Sequence, residues 1–111
     1  MKPRERILAR LALGDEIGHG SPMGRDDLRV QAIDARDAAL VRLGALLALD
    51  AGVQSLQRVV TEATLAGVTE DEIVRCAASL VPTLGSARAS AVAPKLALAL
   101  GFDLDAVLEQ R

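Results

Sequence analysis

The chain has 111 residues, half of them apolar and a quarter charged, with a net charge of −2. This describes one globular domain rather than a disordered tail, and 13 basic residues scattered among 15 acidic ones leave no electrostatic footprint for nucleic acid. No apolar run approaches the roughly 18 uncharged residues of a membrane span, and one cysteine, Cys76, excludes an internal disulfide framework or CxxC pair.

In chain order, Pro3 suits the first turn of a short helix, and Ile7, Leu8 and Leu11 follow at helical spacing until Gly14. Arg10 interrupts the apolar part of this basic segment, which argues against a secretory signal and makes a cytoplasmic protein the expectation. Residues 15–33 hold three of the nine glycines, a proline and mixed charges, and read as one long connection. Asp34 then caps a helix over 35–49, whose leucines surround the axis and predict a buried central element. Ala51-Gly52 breaks it. The next helix, about 53–66, is amphipathic, with Leu56, Val59, Val60, Ala63 and Ala66 on the inward side.

The strongest local signal follows. Gly67 can take the left-handed conformation that ends a helix. Two residues on, Thr69-Glu70-Asp71-Glu72 is a capping box that starts another. A stop and a start this close predict a tight hairpin whose arms pack on each other. The capped helix should end at Val81 because of Pro82. A helix over about 84–100 follows, with Pro94 expected to kink it or start a new segment. Gly101 ends it and Asp103 caps a short terminal helix. The fold class is therefore all-α, five to seven helices in one domain: an N-terminal helix and loop (1–33), a core (34–100) and a terminal helix (101–111).

Asp34-Ala35-Arg36, the Leu/Ala-rich helix and Ala66-Gly67-Val68-Thr69-Glu70-Asp71-Glu72-Ile73, followed by the helix to Gly85, resemble the carboxymuconolactone decarboxylase family. That family lies within the alkylhydroperoxidase D-like superfamily and is typical of bacteria. Over residues 34–100 the resemblance implies an alkylhydroperoxidase D-like helical subunit that assembles as a trimer or hexamer, sometimes a dimer. The implied activities are lactone decarboxylation and peroxidase chemistry through a cysteine pair. Where the family places its CxxC, a histidine and a glutamate, this chain has Gly52, Ser55, Val59 and Leu40. A peroxidase of this type needs a thiolate, a resolving thiol and a base, so peroxiredoxin-type activity is not expected.

Other chemistry-bearing residues each have two readings. His19, between Gly18 and Gly20 in the long connection, is either an exposed loop residue or a mobile acid or base. Cys76 is either a small buried hydrophobe or, beside Arg75, an activated thiol. Arg88, with Thr83 and Ser86 nearby, would anchor a carboxylate in a ligand pocket, or pair with Asp34, Asp37 or Glu62 across a helix interface. Arg42 needs a partner on another helix or subunit, and Arg36 belongs to a solvated first turn. Neither a cofactor nor a metal is expected. Two functions remain: a non-catalytic helical oligomer, or an enzyme or binder of a small organic acid or lactone anchored by Arg88. Gly85, Ala89 and Ala93, spaced by four, form a small-residue stripe that either joins subunits or packs against helix 35–49.

Overall fold

A computed structural model describes residues 2–14 and 33–110. It is all-helical among them. The helices are α1 (Pro3–Ala12), α2 (Ala35–Ala48), α3 (Val53–Leu65), α4 (Glu70–Ser79), α5 (Val81–Leu84), α6 (Ser86–Leu100) and α7 (Leu104–Glu109). Two compact units divide the chain, residues 1–33 and 34–111. In the first, the Glu5 carboxylate accepts the Lys2 backbone N–H at 3.0 Å and so starts α1.

The second unit holds the core. Its helix starts are those the sequence specifies. The Asp34 side chain accepts from the Arg36 N–H at 2.8 Å. The Thr69 hydroxyl accepts from the Glu72 N–H at 3.1 Å while the Glu72 carboxylate accepts from the Thr69 N–H at 3.1 Å. Asp103 accepts from the Ala106 N–H at 3.1 Å. Each satisfies an N–H that the first helical turn leaves free.

The end of α3 is a Schellman turn. Gly67, at φ 91°, donates to the Thr64 carbonyl at 3.1 Å, and Val68 donates to the Ala63 carbonyl at 2.9 Å. Val68 and Ala63 are both buried, so the turn is stapled into the core. The predicted hairpin nevertheless differs in one respect. Its arms, α3 and α4, make little contact with each other, and both pack on α2. The inward residues of the two arms explain this: Leu56, Val59 and Ala63 of α3 and Ile73 of α4 join one cluster with Leu43 and Leu47 of α2.

Helix α2 is not the central element that its leucines predict. Ala39, Leu43 and Leu47 are buried at spacing four, but Val41 is 65 % exposed and Leu49 76 % exposed. The central position belongs to α3, which packs on α2 along one side and on α6 along another. An alanine-rich helix need not be buried all round, because its side chains add little apolar area to the face left outside.

Pro82 does less than expected. The chain leaves α4 at Leu80, which keeps right-handed helical angles, and enters the short α5 at once. Pro82 sits at its first turn, where the missing N–H has no helical partner to lose. Gly85, at φ 85° and ψ 154°, is what separates α5 from α6. Pro94 starts no new segment; α6 runs through it.

Two ion pairs tie the unit's helices together. Arg42 pairs with Glu62 of α3, the interhelical partner expected for it, although both side chains are about half exposed. Arg36 does more than solvate a first turn, since its guanidinium pairs with Glu72, the carboxylate of the α4 capping box. Partly exposed pairs of this kind contribute roughly 0–1 kcal/mol each.

Candidate functional site

At the four positions that the resemblance singles out, Leu40, Gly52 and Val59 carry no acid, base or nucleophile, and Ser55 carries only a hydroxyl. Val59 is buried on α3, Leu40 is half-buried on α2, and Gly52 and Ser55 are exposed at the start of α3. The nearest sulfur is Cys76 of α4, whose thiol points at the Leu40 carbonyl oxygen at 3.9 Å. Burial pushes that thiol above its ordinary pKa. A protonated thiol is a weak nucleophile, and Cys76 is half-buried and packed against the core. His19 lies outside the described residues. Among those described, no group of three or more His, Cys, Asp or Glu side chains could hold a metal ion.

Arg88, on the first turn of α6, has a definite partner, and it is none of Asp34, Asp37 and Glu62. Its guanidinium donates to the Ala48 carbonyl at 2.6 Å, at the C-terminal end of α2. Asp34 is used as a cap and Glu62 pairs with Arg42. Two helical turns further along α6, Lys95 donates to the Asp50 carboxylate at 2.6 Å. Two cations therefore meet the carbonyl-rich end of α2, where the helix dipole favours positive charge.

Asp50 is the one described non-glycine residue with positive φ, at 56°. It donates its N–H to Leu47 at 3.2 Å, and Ala51 donates to Leu46 at 3.0 Å, so α2 also ends in a Schellman turn with aspartate in the glycine position. Gly52, expected to break the helix, instead precedes α3 in an extended conformation. The Lys95 hydrogen bond, then the charges of Lys95 and Arg88, hold the Asp50 carboxyl below its ordinary pKa. A depressed carboxylate pKa contributes stability above the unfolded value of about 3.9, and that contribution disappears as pH falls through the lower folded value. A Lys95→Met variant should therefore be less stable than the parent near neutral pH and converge with it in acid. Urea unfolding across the acid range checks this; a constant gap between the two proteins would show that the ion pair is not responsible.

Beside these residues lies a shallow cleft of about 400 Å³ lined by Asp50, Leu84, Ala87, Arg88 and Ala91. Thr83 and Ser86 are exposed and do not line it. The Asp50 carboxylate stands against an anionic ligand there, and Arg88 is already hydrogen-bonded. Nothing in the cleft matches a carboxylate more closely than the α2 terminus that the two cations already serve.

A second concavity, of about 330 Å³, is not apparent from the sequence. One wall is α4, through Val74, Ala77 and Ala78; another is α6, through Ala89, Ala93 and Ala97. Leu47 and Leu96 are buried beneath it, and α5 and the Phe102–Leu104 segment close the remaining sides. Every lining residue is apolar. Two members of the predicted small-residue stripe thus face a groove, and the stripe does not pack against α2. The repeat of alanine at 89, 93 and 97 was the available signal, but small side chains at spacing four equally describe a helix contact. Compared with known proteins, the chain matches no family model, no curated protein and no solved structure.

Proposed function

We propose that this chain is a non-catalytic, self-associating helical protein of carboxymuconolactone decarboxylase type, one that has the scaffold without the chemistry. The observation that carries this reading is the replacement of thiol, imidazole and carboxylate by Leu40, Gly52, Ser55 and Val59, with the remaining thiol of Cys76 held protonated in a core environment. Arg88 supports it as well, because its guanidinium is engaged at a helix terminus. Self-association is supported by Val41, Leu49, Leu65 and Leu98, apolar side chains left exposed away from the groove. Burying a side chain of this size is worth about 1.5–3 kcal/mol, so several per subunit can offset an association cost of about 4–15 kcal/mol. No described helix is long and apolar enough to cross a membrane, in keeping with the cytoplasmic location included in this reading.

Sedimentation velocity at micromolar concentration tests the assembly. The expected species is a trimer or hexamer, or failing that a dimer, and a single boundary at the 11.6 kDa subunit mass would rule self-association out. Assays with hydroperoxides and with unsaturated lactones test the other half. Turnover that a single substitution in the chain abolishes would make the protein an enzyme and end the non-catalytic reading.

A further inference from the structure

We draw no further inference here: the strongest candidate, the apolar groove between α4 and α6, carries nothing because no feature of the structure shows what covers it.

Discussion

Leu43→Ala is expected to destabilise the protein by about 2–5 kcal/mol, measured by urea or thermal unfolding. Leu43 is 1 % exposed and sits between Ala39 and Leu47 on the only buried stripe of α2, in one cluster with the α3 residues Leu56 and Val59. Removing its isobutyl group forfeits transfer free energy and leaves a cavity that neighbouring helices close only in part. Leu49→Ala, measured at concentrations too low for assembly, is the control. At 76 % exposure in the isolated chain it should shift stability by less than about 0.5 kcal/mol. Equal losses at the two positions would mean that α2 is covered on its outer face too. In that case the effect at Leu49 should depend on protein concentration, because only assembly would bury it.

Gly67→Ala should cost about 1–2 kcal/mol, measured by the same unfolding experiments. A Cβ added at Gly67 meets nothing within 4 Å, so no clash contributes. The cost is torsional: φ of 91° is disfavoured for any residue with a Cβ. Gly67→Asn should recover part of it, because asparagine tolerates left-handed angles better than alanine. If alanine and asparagine are equally harmless, the Schellman turn at Ala63–Val68 is not what holds the end of α3.

The same residues show how far a sequence reaches. The caps at Asp34, Thr69 with Glu72, and Asp103 were legible because each joins atoms no more than three residues apart. The turn at Gly67 was legible for the same reason. At the end of α2 the sequence points to Gly52 and the same turn lies two residues earlier, since aspartate at position 50 does not advertise a left-handed conformation. Its support is Lys95, forty-five residues away. Arg88 stands out in the sequence as a charge on a small-residue helix, and the sequence points to carboxylates as its partners, whereas the structure gives it the Ala48 carbonyl. Backbone carbonyls carry no sequence signature, so the Ala48 acceptor could not be named in advance.

Helical content, helix starts and the absence of a thiol, imidazole or carboxylate at positions 40, 52, 55 and 59 are thus determined by the sequence alone, through interactions that close within one turn or by residue identity. Which face of each helix is buried is not. An Ala/Leu helix such as α2 is apolar almost all round, so its periodicity leaves the inward side undefined, and only packing against α3 and α4 selects Ala39, Leu43 and Leu47. The apolar groove is likewise a tertiary fact. It exists because alanines on α4 and α6 that are distant in sequence are brought to face one another, and the space between them belongs to no local pattern.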